Sequence, residues 1–280
     1  MTQEVQAEPA AAAESTPAKP AKKEDSFGVF LVKLVLAVAI FRSFIFAPFN
    51  IPSESMLPRL LVGDYLLASK WSYGISRKSL PFGLPLLPES RLFASTPQRG
   101  DVVIFKAPPL NDTDYIKRVI GLPGDTVQMQ GGVLYLNGQA VPKQRVADFE
   151  VPVSPNTNCY SPQFITRRPD GTDVCRYPQF RETLPGGRTY NVLDLGPKPQ
   201  DETPTYMVPE GHVFLMGDNR DNSEDSRFAA AIGGGIGMVP MDNLIGQAKV
   251  MMFSTDGSAS WVLPWTWFSA ARFDRIGGGF

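Results

Sequence analysis

The proline and glycine residues of this chain limit its fold more than any other sequence feature. The 280 residues include 26 prolines and 25 glycines, spread along the length. Proline ends or kinks a helix, and glycine weakens helix interiors and favours turns. Long helices are therefore expected only near the N-terminus, and the remainder is predicted to be mostly β with many turns.

Short β-branched runs bounded by turn residues support this fold class. Two of them, Thr126–Gln130 and Val133–Leu136, flank Gly131-Gly132, which predicts a hairpin. Residues 142–209 are rich in Pro, Asn, Asp and Arg and are predicted to be a loop-rich insertion or small subdomain. The predicted strands are Asp101–Lys106, Tyr115–Ile120, Thr126–Gln130, Val133–Leu136, Val213–Met216 and Ile245–Phe253.

The N-terminal region divides into a polar tail and an apolar segment. Residues 1–26 contain no aromatic side chain and are predicted to be a disordered cytoplasmic tail. Residues 27–48 are long enough, as a helix, to cross a hydrocarbon core of about 30 Å and are predicted to be a transmembrane anchor. Lys33 and Arg42 interrupt this segment. A buried or interfacial amphipathic helix is therefore the alternative.

The charge close to the apolar segment favours a cytoplasmic N-terminus, because Lys19, Lys22, Lys23 and Lys33 lie on its N-terminal side, against Arg42, Arg59 and Lys70 on the other. Residues 49–280 would then lie on the periplasmic side. In an oxidising compartment Cys159 and Cys175 are expected to form a disulfide, with two free buried thiols as the alternative. The net charge of −1 excludes the electrostatic footprint of a nucleic-acid binder.

The histidine count restricts the possible chemistry. His212 is the only histidine, so a multi-histidine metal site is excluded and a Ser-His-Asp triad would have to use this residue.

Ser53 and Ser55 follow the apolar segment in the sequence Ile51-Pro52-Ser53-Glu54-Ser55-Met56-Leu57-Pro58, where prolines restrict the backbone. An ordinary linker with serines at turn positions is the alternative interpretation.

Lys117 is predicted to lie within a strand, on the face that also carries Tyr115 and Val119. Burial in such apolar surroundings disfavours the ammonium ion, and it would lower the lysine pKa from about 10.4 towards neutrality and make a general base. A surface lysine beside Arg118 is the alternative.

The acidic segment Gly217–Arg227 is predicted to be a polar loop, and its spacing does not match a calcium-binding loop.

In order and spacing, these segments resemble the bacterial type I signal peptidases, the leader peptidase family. The resemblance covers the Ser55, Lys117 and Ser223 segments and the tail Arg275-Ile276-Gly277-Gly278. It implies an antiparallel β-sheet catalytic domain behind one transmembrane helix, in the inner membrane of a bacterium. Secretory preproteins and the lipid bilayer are the implied partners, with no cofactor, metal ion or nucleic acid.

The resemblance also gives each matching residue a role. Ser55 stands where the nucleophile stands, Lys117 where the general base stands, and Ser53 where a hydroxyl helps the Ser55 amide bind the oxyanion. Ser223 matches the serine that hydrogen-bonds and orients the lysine. A supporting ion pair behind that serine is matched by Asp225 and Arg227.

The resemblance further implies that a substrate peptide lies extended between Phe49–Ser53 and Asp114–Lys117 and pairs with both edges. Shallow pockets would accept only small side chains at the first and third positions before the cut, the Ala-x-Ala preference. Glu54, where the family often has glycine, is expected to point towards solvent by strand alternation. The predicted substrate-binding residues are Phe49, Ile51, Pro52, Met56, Leu60, Tyr115 and Ile116.

Two other classes share parts of this pattern. Self-cleaving repressors and mutagenesis proteins use a similar Ser/Lys pair, but a repressor is expected to begin with a helix-turn-helix domain. A non-enzymatic anchored binding module with a degenerate site is disfavoured because the matching serines and lysine are all retained. His212 is not expected to be catalytic. The glycine-rich run Gly233–Gly237 extends the loop after Arg227 relative to the family pattern.

Overall fold

The computed structural model describes residues 26–44, 46–75, 91–260 and 262–280. Most of the predicted disordered tail, residues 1–25, lies outside the described residues. The helices are α1 (Phe27–Phe44) and α2 (Thr266–Ala270). The strands are β1 (Phe46–Asn50), β2 (Asp64–Ser69), β3 (Val102–Lys106), β4 (Asp114–Gly121), β5 (Thr126–Gln130), β6 (Val133–Leu136), β7 (Gln139–Ala140), β8 (Lys143–Arg145), β9 (Phe149–Pro152), β10 (Ile165–Arg167), β11 (Asp173–Tyr177), β12 (Gln179–Thr183), β13 (Thr189–Leu193), β14 (Tyr206–Met207), β15 (His212–Met216), β16 (Val239–Pro240) and β17 (Leu244–Ser254).

Helix α1 is shorter than the predicted anchor of residues 27–48. The helix ends at Phe44, and strand β1 begins at Phe46. Pro48 accounts for the early end, because in a helix its ring would clash with the carbonyl of Phe44 and it has no N–H to donate. Within the residues that the structure describes, no helix has both the length and the apolar character needed to cross a membrane.

Seven strands form the main sheet, in the order β1-β2-β17-β3-β4-β15-β16. Every pairing within it is antiparallel. All six predicted strands are confirmed to within one residue at each end. Strands β5 and β6 form the predicted hairpin and belong to a separate sheet of order β14-β5-β6-β7. The mostly β prediction is therefore confirmed.

Strand β3 lies in the interior of the main sheet. Val102 and Ile104 pack into one apolar cluster, and Val103 and Phe105 pack into another on the opposite face. Successive side chains of a strand point to opposite faces, so β3 is buried on both sides. Strand β4 pairs with β3 in the register Val103↔Lys117. Lys117 is thereby fixed on a strand beside the core.

Residues 142–209, predicted to be a loop-rich insertion or a β-rich and loop-rich subdomain, contain seven short strands, β8 to β14. Six of them form two small sheets, with the orders β13-β12-β8 and β10-β11-β9, and β14 pairs with β5. These strands are at most five residues long and mix polar with apolar side chains, so periodicity does not reveal them. Cys159 and Cys175 form a disulfide that joins the loop before β10 to strand β11.

Candidate catalytic site

The serine segment, residues 51–64, forms a closed loop. The Ile51 amide donates to the carbonyl of Asp64 at 2.8 Å. The fully buried carboxylate of Asp64 accepts from the Arg275 guanidinium, with Nε at 3.0 Å and Nη2 at 2.5 Å. Arg275 therefore holds the base of the loop that carries Ser55.

Ser55 and Lys117 lie side by side although 62 residues separate them in the chain. Lys117 Nζ donates to Ser55 Oγ at 2.6 Å, and the two residues are only 4% and 7% exposed, respectively. The hydroxyl of Ser53 is exposed and lies 3.4 Å from Ser55 Oγ. The structure thus brings together the predicted nucleophile, its predicted base and the predicted second hydroxyl.

The environment of Lys117 favours the neutral amine. Burial lowers the pKa of Lys117 to about 8, although the carboxylates of Asp225 and Asp218 act in the opposite direction. The Nζ atom lies 5.7 Å from the centre of the Tyr115 ring, which shares its face of β4. At pH 8 about half of the lysine side chains therefore carry a lone pair able to accept a proton.

The Gly217–Arg227 segment supplies the third side of the site. Ser223 Oγ donates to Asp225 Oδ2 at 2.9 Å, so the structure gives this serine a different partner from the predicted lysine. Asp225 also pairs with the Arg227 guanidinium at 2.9 Å, and both side chains are buried. Burial raises the pKa of Asp225, but the charge and hydrogen bond of Arg227, the Gly217 amide and the Lys117 charge together hold that pKa below its usual value. Asp225 is thus a buried carboxylate ion close to Lys117.

Two asparagines that the sequence did not single out fix this segment to the serine loop. The Asn219 amide donates to the Ser55 carbonyl at 3.1 Å, and Asn222 Nδ2 donates to the Glu54 carboxylate at 3.2 Å. The prediction that Glu54 points to solvent is wrong, because the chain bends at this residue and strand alternation does not apply. Glu54 is half-buried, and burial raises its pKa.

Two further buried ion pairs, also missed from the sequence, hold the same segment in place. Arg118 donates to the Asp218 carboxylate from Nε at 2.7 Å and from Nη2 at 2.6 Å. Arg220 pairs with Glu182 at 2.6 Å, and Glu182 also accepts from the Tyr190 hydroxyl. The only available signal was the alternation of acids and arginines in the segment, which does not identify partners 100 residues away.

A cleft of about 740 Å³ opens over Ser55 and Lys117. Phe49–Ser55 forms one wall, and Thr113–Lys117 forms another. Within the described pairing, β15 reaches β4 only from Arg118 onwards, so the outer edge of Asp114–Lys117 has no strand partner. A free edge of this kind can accept an extended peptide as an added strand.

Most of the predicted substrate-binding residues line this cleft, but Met56 and Leu60 do not. Both are fully buried in the apolar cluster beneath the cleft floor, with Ile51 and Ile116. The turn after Ser55, closed by the Leu60 amide donating to the Met56 carbonyl, directs their side chains into the core. The cleft wall also includes residues that were not predicted: Ile104, Thr113, Tyr160, Gln200, Asp221, Asn222, Glu224, Phe228 and Gly233.

A serine hydroxyl hydrogen-bonded to a buried amine is typical of a serine hydrolase. The open strand edge above this pair suits a peptide substrate. Comparison with known proteins agrees. Residues 25–253 match the family model described as signal peptidase, peptidase S26, and the chain belongs to this family of serine endopeptidases, the type I signal peptidases.

Individual relatives extend over most of the chain. It is 36% identical to the signal peptidase I of Rickettsia typhi over 246 residues, covering 85% of this chain and 82% of that protein. It is also 36% identical to the signal peptidase I of Rickettsia conorii over 276 residues, or 92% of each chain. A solved signal peptidase I from Enterococcus faecalis is 25% identical, covers 55% of this chain and 97% of its own, and has a TM-score of 0.29.

Gly217→Ala is expected to reduce kcat about 100-fold, since a small displacement of reacting groups is costly. An added Cβ would lie 2.3 Å from Ser223 Oγ and 2.5 Å from the Ser55 carbonyl oxygen. Cleavage of a fluorogenic signal-peptide substrate measures the effect. Gly279→Ala is the control, because the nearest atom to its added Cβ is 3.7 Å away. Equal activity of the two variants would show that contact at Gly217 does not position the site.

Proposed function

We propose that this enzyme removes signal peptides from secretory preproteins at Ala-x-Ala-type sites, with Ser55 as nucleophile and neutral Lys117 as general base. The proposal is supported chiefly by the 2.6 Å hydrogen bond between Lys117 Nζ and Ser55 Oγ in a buried setting. A protonated lysine could not activate the serine, so the lowered pKa of Lys117 is a second support.

The proposed reaction uses groups already in place. The peptide pairs with the edge of Asp114–Lys117, and Lys117 takes the hydroxyl proton as Ser55 Oγ attacks the scissile carbonyl. The resulting oxyanion accepts hydrogen bonds from the Ser55 backbone amide and the Ser53 hydroxyl. The Ser55 amide is available for this role, because it makes no hydrogen bond among the described residues. The ammonium then protonates the leaving amine, and water attacks the acyl-enzyme by the same route.

The preference for small side chains follows from the cleft floor. Ile51, Ile104 and Ile116 line the floor, and the space beneath it is filled by the fully buried Met56 and Leu60. A core packed to this density cannot admit a large side chain without moving several neighbours. Alanine therefore fits at the positions whose side chains point downwards, the first and third before the cut.

Ser55→Ala and Lys117→Met are each expected to lower kcat at least about 1,000-fold, because each removes one member of the reacting pair. The measurement is cleavage of a preprotein in detergent micelles, with the product identified by mass. His212→Ala is the control, because this ring is bonded to the Glu210 carbonyl and is not part of the cleft wall. An active Ser55→Ala variant would refute the mechanism.

The pH dependence of kcat/KM tests the neutral base. Activity is expected to rise about tenfold per pH unit below pH 8 and to level off above it, since only neutral Lys117 accepts the proton. Glu224→Gln should move the midpoint to lower pH, because the exposed Glu224 carboxylate raises the pKa of Lys117. A midpoint near that of a free lysine, about 10.4, would contradict a desolvated base.

We also propose that the apolar segment of residues 27–48, which contains α1 and was predicted from the sequence to be the anchor, holds the enzyme in the bacterial inner membrane, with the N-terminus cytoplasmic and the catalytic domain periplasmic. Large apolar side chains from Phe27 to Val38 are exposed, and a surface of this kind is unfavourable in water. The Cys159–Cys175 disulfide fits an oxidising compartment.

Alkaline carbonate extraction of membranes from producing cells is expected to leave the full chain in the pellet, because the apolar surface of α1 holds it there independently of charge. Protease added to intact spheroplasts should then digest the catalytic domain, which the proposed topology exposes outside the cytoplasm. Release into the carbonate supernatant would rule out the anchor, and protection of the domain would rule out the orientation.

A further inference from the structure

A second cavity, of about 230 Å³, adjoins the catalytic cleft. The two share Thr113, Tyr115 and Gly233 as lining residues, so they lie next to each other. Apart from Asp112, the remaining lining is apolar: Ala107, Pro108, Pro109, Leu110, Ala231 and Ile232.

One wall of this cavity is held by hydrogen bonds between backbone groups. The Ala107 amide donates to the Thr113 carbonyl, and the Asn111 amide donates to the Ala107 carbonyl, both at 2.9 Å. Asn243 ties the base of this turn to β3, since its Nδ2 donates to the Lys106 carbonyl at 2.9 Å. The wall is therefore formed before any ligand enters.

The other wall is the loop Phe228–Gly237, which contains the glycine-rich run. The Gly237 amide donates to the Phe228 carbonyl at 3.0 Å, and the fully buried Ile236 fixes the end of the loop in the core. Gly235 has no room for a side chain, because an added Cβ would lie 2.4 Å from Phe228 Cβ. Ile232 remains 75% exposed on this fixed loop, beside the cavity.

The position of the cavity relative to the cut follows from strand geometry. A peptide paired with β4 advances at the same rate as β4, about 3.3 Å per residue. Thr113 precedes Lys117 by four residues, so the cavity lies beside substrate residues about four to six positions from the cleaved bond. In signal peptides the apolar stretch lies directly before the small residues of the cleavage site, so an apolar cavity suits the upstream side.

We propose that this cavity is a substrate subsite that binds a large apolar side chain four to six residues before the cut, with Ile232 and Leu110 as specificity-determining residues. The inference rests on the proposed function, because the occupant is the signal peptide itself. Burial of the substrate side chain would cover Ile232 and Leu110, which are 75% and 56% exposed without it.

Four preproteins test the subsite: a parent with serine at the fourth, fifth and sixth positions before the cut, and three with a single leucine at one of them. The wild-type enzyme is expected to cleave at least one leucine substrate with a kcat/KM about tenfold above the parent. Ile232→Ser and Leu110→Ser should abolish that preference and leave the parent rate unchanged. Ile165→Ser, at an exposed isoleucine outside the cleft, is the matched control and should keep the preference.

The outcomes separate this inference from the proposed function. Cleavage of all four substrates at one rate by the wild-type enzyme would overturn the subsite and leave the peptidase function intact. An equal fall on every substrate in Ile232→Ser and Leu110→Ser would also overturn it, because the effect would not depend on the substrate side chain. If the wild-type enzyme cleaved none of them, the proposed function would fail, and the subsite with it.

Discussion

The burial of one amine, that of Lys117, is the constraint on which the rest of the site depends. Transferring an ammonium ion from water into a protein interior costs several kcal/mol, and the cost falls if the proton is lost. Among the buried cations described nearby, Arg118 and Arg227 each have a carboxylate partner, whereas Lys117 donates to the hydroxyl of Ser55. The group with the weakest ionic compensation is thus the one able to give up its proton.

The surrounding architecture keeps that amine dry without an apolar lid. The Gly217–Arg227 segment is polar, and buried arginine–carboxylate pairs hold it instead of apolar packing: Asp218 pairs with Arg118 of β4 and Arg220 with Glu182 of β12. A third pair, Asp225–Arg227, lies within the segment itself. Removing one partner of such a pair costs about 3–5 kcal/mol, so the segment has little freedom to open. This rigidity holds the Ser55 carbonyl on Asn219 and Ser223 on Asp225, and the site is formed before substrate arrives.

The sequence was sufficient for features that depend on local patterns. Apolar runs and turn dipeptides predicted β3 to β6, β15 and β17 but not β1 or β2, and the resemblance to the signal peptidases placed Ser55 beside Lys117. Contacts between distant segments left no such trace, as in the bond from Asn219 to Glu54 across 165 residues. The prediction that Met56 binds substrate was wrong for a related reason. A turn rather than a strand follows Ser55, and sequence periodicity does not show where the side chains of a turn point.

The open edge of Asp114–Lys117 also bears on the solubility of the protein. Any strand edge that accepts a peptide is equally able to pair with a neighbouring molecule and begin an aggregate. This edge is short, and Asp114 at its start carries a partly exposed carboxylate paired with Lys106 at 2.8 Å. Charge at the start of an edge disfavours edge-to-edge pairing with another strand. The edge proposed to bind the substrate therefore carries a charge that disfavours its pairing with another molecule.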